Sequence, residues 1–257
     1  MPSFFTMTGS TTTFYIPFSS NYDLLIPTGS LNFEQTTHLN GVFTVENANV
    51  NFYNQSILQT VVMNASGVIT FFSTQNVISD LSLTGSTPTL YLSAQNSIAP
   101  ILNITNSFNW NPSGSSYVQT YTSPVGILNI ACTATATFIS NSMLYLGVSL
   151  NNYGTLIYSS SNSYHICMYS SWTSAIVNQP NGVWYVNSSS TNPMYISDCA
   201  GVSTITNYGE MFVSNHNYFQ VTVNFNNVGF LVVSNGSLSL ASGTTTHNGI
   251  LNKIFNS

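Results

Sequence analysis

Between Asn207 and Ser257 the chain repeats one phrase three times: Asn207-Tyr-Gly-Glu-Met-Phe-Val, Asn227-Val-Gly-Phe-Leu-Val-Val and Asn248-Gly-Ile-Leu. The glycines stand at 209, 229 and 249, and a bulky apolar residue follows two places after each, at Met211, Leu231 and Leu251. A turn and a short strand returning at a fixed interval mark a chain wound into stacked coils.

The same phrase occurs upstream after Gly41, Gly67, Gly126, Gly154 and Gly182, which makes eight copies with Gly209, Gly229 and Gly249. The second residue after glycine is large and apolar in all of them: Phe43, Ile69, Leu128, Leu156, Trp184, Met211, Leu231 and Leu251. The fourth is β-branched or aromatic except in the last copy, which has Lys253. Alternation of this kind places the second and fourth positions on one face of a strand. Asn-Gly and Asn-x-Gly suit the sharp turn between strands, and we read the glycine as a positive-φ residue. Shorter echoes begin at Gly29 and Gly236, and the gap from 67 to 126 leaves room for two degenerate coils. No stretch pairs a helical period with capping residues.

The expected fold is therefore all-β, a right-handed parallel β-helix or solenoid. Residues 1–25 read as an N-terminal cap or connecting strand and 26–257 as roughly ten coils, a rod about 45–50 Å long at about 4.8 Å per coil. Asn and Thr stacked at the turns would form hydrogen-bonded ladders. The alternative is a β-sandwich or jelly roll, which also consists of many short strands but needs no fixed glycine phase.

Charge narrows the function. Only 3% of residues are charged, against roughly 25% in ordinary domains. With one Lys and no Arg, the chain cannot neutralise a row of phosphates, so nucleic acid is excluded as a partner. Anionic membrane surfaces are excluded for the same reason. No apolar run is long enough for a membrane-spanning helix. The amino terminus lacks the pattern of a secretory signal, so either the chain is not secreted this way or a leader has been removed. A nearly uncharged polar surface also does little to keep copies apart.

No cluster of chemical groups stands out, and no cofactor is implied. Asp23 and Glu46 lie about one coil apart and could sit on neighbouring coils, as surface acids or as a glycosidase pair, which needs carboxyls about 5–9.5 Å apart. Lys253 is the only side chain able to serve a polysaccharide lyase as base. His38, His165, His216 and His247 lack metal-ligand spacing; His165 and Cys167 share a strand face, as a Cys/His nucleophile or an ordinary alternating strand would. Cys132, Cys167 and Cys199 read as small buried apolar residues or as one disulfide, Cys167 with Cys199. Sequons begin at Asn54, Asn64, Asn103, Asn187 and Asn235, about as many as chance gives in this composition. Tyr121, Tyr153, Tyr164, Tyr169, Tyr185 and Tyr208 lie near turns, where rings could meet glycans or a neighbouring subunit. Thr133-Ala-Thr-Ala-Thr137 is the only hint of an ice-binding threonine array.

The Asn-x-Gly-x-Leu-x-Val phrases and Asn235-Gly-Ser-Leu-Ser-Leu-Ala-Ser-Gly resemble the right-handed β-helical repeats of surface adhesins and autotransporter-like passengers. The likeness spans most of residues 26–257, implies extracellular display and contact, and transfers no functional residue. The expectation is a non-enzymatic extracellular or cell-surface protein that self-assembles through its solenoid ends into a filament or surface layer, or acts as an adhesin. A virus or phage fibre component, a carbohydrate-binding or carbohydrate-cleaving β-helix and an ice-binding protein are the alternatives.

Overall fold

The computed structural model describes residues 4–139, 141–160, 165–169, 174–188, 193–200, 202–215, 218–241 and 244–254. They contain 28 strands and no helix, and the pairings between strands are parallel throughout. The chain winds as a right-handed parallel β-helix, the hand that strand twist favours for parallel crossovers. Each coil visits three stacks of strands in turn. The first stack runs from Phe4–Thr6 to Ile250–Ile254, the second from Thr11–Phe14 to Ser237–Leu240, the third from Phe18–Ser20 to Thr245–His247. Thr37–Phe52 bends through all three in a single strand. At about 4.8 Å per coil the described rod is roughly 50 Å long.

The first coil lies inside the segment expected as a cap or connector. Its strands Phe4–Thr6, Thr11–Phe14 and Phe18–Ser20 stack in parallel register on residues 23–25, 30–33 and 37–39.

The alternation seen in the sequence fills the interior. In the first stack, Leu24, Phe43, Val61, Leu81, Phe108, Ala136, Leu156, Trp184, Met211 and Leu231 lie one above another, all buried. In the second stack Phe14, Phe33, Phe52 and Phe71 form a column of near-parallel rings with centroids 5.4, 5.0 and 5.0 Å apart. Offset aromatic stacking adds to the area each ring buries.

Two expectations about the glycines change. Six of the eight (Gly41, Gly154, Gly182, Gly209, Gly229 and Gly249) precede strands of the first stack, but Gly67 opens a second-stack strand and Gly126 a third-stack strand. Every corner of the coil joins a turn to an alternating strand, so the phrase alone does not say which corner it marks. Nor do these eight have positive φ, which among the described glycines is confined to Gly9, Gly29 and Gly236. Their reason is close approach. A Cβ on Gly229 would overlap the carbonyl oxygen of Gly209 one coil earlier, and a Cβ on Gly249 that of Gly229.

The register also explains the scarcity of charge. In-register columns put equivalent side chains about 4.8 Å apart, where like charges repel by about 3 kcal/mol at an effective dielectric of about 20. The acids avoid such columns: Asp80 lies between Thr60 and Ser107, and Glu210 between Val183 and Phe230.

Candidate functional surfaces

The corner between the third and first stacks is built on asparagine. Asn152, Asn178, Asn207 and Asn227 end successive third-stack strands, stand one above another and are fully buried. Each side-chain Nδ2 donates to the Oδ1 of the asparagine one coil on, at 2.7 Å in all three steps. It also donates to the carbonyl of the residue after that coil's glycine: Val183, Glu210 and Phe230. The ladder begins at Asn152, whose Oδ1 has no donor and whose neighbour in the column below is Ile130. It ends at exposed His247, whose Nδ1 lies 3.1 Å from Asn227 Nδ2. The donor direction along the column makes Nδ1 the acceptor and puts the imidazole proton on Nε2. A second, half-buried ladder joins Asn103, Asn129 and Asn151 on the outer side of the third stack.

The acids are not gathered. Asp23 opens a first-stack strand and accepts from the Val42 N–H at 2.8 Å. Glu46 follows Val45, which pairs with Ile26, so the two acids sit at opposite ends of the strand pair, about 13 Å apart along it. Asp80 is satisfied by neutral donors, Asn106 Nδ2 at 2.6 Å and the Ser107 and Ser79 hydroxyls.

Among the described residues no three His, Cys, Asp or Glu side chains group as metal ligands, and no helix is long and apolar enough to cross a membrane. His38 lies on a third-stack strand, whereas His216 and Tyr164 fall outside the described residues. Burial holds the His165 imidazole below its usual value. Its strand neighbour Cys167 is bonded to Cys199 across adjacent coils, with Cα atoms 5.6 Å apart, so its sulfur is not a free nucleophile. Cys199 is the extra residue where the register slips between the Met168–Asp198 and Tyr169–Ala200 pairs. Cys132 is a free, exposed thiol.

Four sequon asparagines are exposed: Asn54 and Asn64 at turns, Asn187 near a strand end, and Asn235 at a turn with φ of 50°. The fifth, Asn103, sits within a strand, its Oδ1 held by Asn129. Thr137 is stacked between Asn109 and Ile157, so no threonine column forms there.

The outer side of the second stack carries aromatic rings in successive coils. Tyr91 stacks on Tyr121 at 4.2 Å, Tyr117 on Tyr145 at 4.5 Å, and Tyr145 meets Tyr169 edge-on at 6.1 Å. Farther along, Tyr195 and Tyr218 share a hydroxyl contact of 3.1 Å. That bond and burial raise the Tyr195 phenol, and burial raises Tyr117. Tyr153, Tyr185 and Tyr208 are exposed on the corner and first-stack sides. The glycine phrase gave no sign of the strip, because its tyrosines occupy outward positions that the inward apolar pattern does not constrain.

At both ends of the described coils the core is open. At one end Phe5, Met7, Phe14, Phe18, Tyr22 and Leu24 line a cavity of about 510 Å³. At the other, Phe225, Leu231, Val233, Leu238, Leu240 and Leu251 line one of about 340 Å³. Phe5 and Leu251 are more than half exposed. Comparison with known protein families, curated proteins and solved structures finds no match to this chain.

Proposed function

We propose that this chain is a non-enzymatic structural protein of the extracellular space or cell surface, and that it stacks end to end with copies of itself into a filament or surface layer. The observation that carries this reading is the pair of open apolar ends. They differ from each other, so their contact is heterologous and propagates instead of closing, and their unpaired strand edges can accept a further parallel coil. In that contact the first-stack register brings Leu251 over Phe5 of the next copy. Lys253 is the only charged residue in the first and last coils, 4–20 and 230–254, so like-charge repulsion does not oppose the contact. The Cys167–Cys199 bond fits an oxidising compartment. Electron microscopy and sedimentation of the purified protein test assembly: filaments that Leu251→Asp abolishes support it, and monomers alone at high concentration overturn it.

A second reading, an adhesin or carbohydrate-binding solenoid, is favoured by the uncharged tyrosine strip. Rings beside neutral hydroxyls and amides suit a neutral glycan. Glycan-array binding that Tyr121→Ala and Tyr169→Ala remove would support it, and no binding to any glycan would reject it.

A further inference from the structure

The Tyr91–Tyr121 pair differs from the other ring contacts on the second-stack face. Tyr91 lies in the strand Thr89–Leu92, held in register with neighbouring coils. Tyr121 lies on the bend after Ser116–Gln119, one coil on, and is 65% exposed. Their rings are 4.2 Å apart and inclined by 28°, and the Tyr91 hydroxyl donates to that of Tyr121 at 3.1 Å. Two stacked rings with touching hydroxyls also bring together the ring carbons ortho to those hydroxyls. In a phenoxyl radical those carbons carry much of the unpaired spin.

We propose that Tyr91 and Tyr121 form an oxidative cross-linking site, at which hydrogen peroxide and a haem peroxidase couple the two phenols into dityrosine. Each phenol loses one electron and its hydroxyl proton. The two radicals pair their spins in a carbon–carbon bond between ortho carbons, and the hydrogens displaced from those carbons move to the oxygens and restore both phenols. The two electrons and two protons reduce one hydrogen peroxide to two waters, so the protein loses two hydrogen atoms. Holding both radicals in contact favours their coupling over escape. The exposed bend lets the oxidant reach Tyr121 and lets its ring turn from stacking to bonding. Tyr117 and Tyr145, by contrast, are strand residues in register whose rings lie face to face within 9°. The product would tie two adjacent coils together, as the Cys167–Cys199 bond does farther along the same stack. The inference concerns a single chain and stands apart from end-to-end assembly.

The test oxidises dilute monomer with peroxidase and peroxide, then reads dityrosine fluorescence, intact mass and the cross-linked peptides. The expected result is a monomer lighter by two hydrogens, with Tyr91 joined to Tyr121. In Tyr121→Phe, whose fold is checked by circular dichroism, that product and its fluorescence are lost. Dityrosine that maps to other pairs, forms only between chains, or persists undiminished in Tyr121→Phe would overturn the proposal, as would the absence of any dityrosine.

Discussion

Asn178 donates from Nδ2 to the Oδ1 of Asn207 across a 2.7 Å contact, with both side chains fully buried. An amide in that position must satisfy a donor and an acceptor at once, and in-register stacking supplies both from the same residue type. Asn207→Ala removes the acceptor of Asn178, the donor to Asn227 and the donor to the Phe230 carbonyl together. Buried groups left unpaired cost about 1–3 kcal/mol each, and partial relaxation brings the expected loss to roughly 2–4 kcal/mol. Equilibrium denaturation in urea measures it. A loss below that of an exposed Asn→Ala substitution such as Asn54→Ala would mean that the ladder contributes no stability.

Gly229 tests whether the corner glycines serve close approach. Since its φ lies outside the left-handed region, alanine meets no backbone strain there, only the carbonyl oxygens of Gly209 and Tyr208. Those are backbone atoms of a paired coil and cannot swing aside. Gly229→Ala is expected to destabilise by about 1–3 kcal/mol, as overpacking does, while Ser237→Ala on an exposed position stays near neutral. Equal denaturation midpoints for the two variants would mean that the close approach of the coils does not require glycine there.

The architecture was legible because one phrase recurs, but that phrase under-reads the molecule in a specific way. Phe14, Phe33, Phe52 and Phe71 fall at intervals of nineteen residues and form one ring column, so the winding was already written into residues 11–14. Alignment on glycine hides this, since the first coil, residues 4–20, carries no copy of the phrase. The Cys167–Cys199 bond was only one of the readings open in the sequence, since Cys132 and Cys167 lie a similar number of residues apart. The tyrosine strip was not legible, because outward positions obey no packing period. Phe52→Ala, which opens a gap between two stacked rings, is expected to lose about 3–5 kcal/mol. Thermal unfolding of the two-state kind would register it.

Glycosylation divides the sequons by geometry. Asn54, Asn64, Asn187 and Asn235 present exposed side chains, whereas the Asn103 amide is stacked on Asn129 within a strand. Expression in a glycosylating host is expected to modify members of the first group and leave Asn103 bare. Peptide mass spectrometry reads the occupancy site by site. Full occupancy at Asn103 would show that the chain is modified before its coils stack.

Tyr91 gives the rod a high-pH signature. Burial, and then the hydrogen bond with Tyr121, push its phenol up to about 12 from an ordinary 10.0. The shift means that the folded coil holds the neutral phenol more firmly than the unfolded chain does. Below the ordinary value both states keep the proton, and the stability that the neutral phenol contributes is fully present. Between about 10 and about 12 the unfolded chain ionises while the folded one does not, so that contribution is lost as pH rises through the window. Ultraviolet titration of the native protein should therefore show the Tyr91 phenol ionising late. In Tyr121→Phe that phenol should ionise earlier, because part of the shift goes with the hydroxyl of Tyr121. Unchanged late ionisation in that variant would assign the shift to burial alone. A Tyr91→Phe variant that keeps the late step would assign the step to another tyrosine.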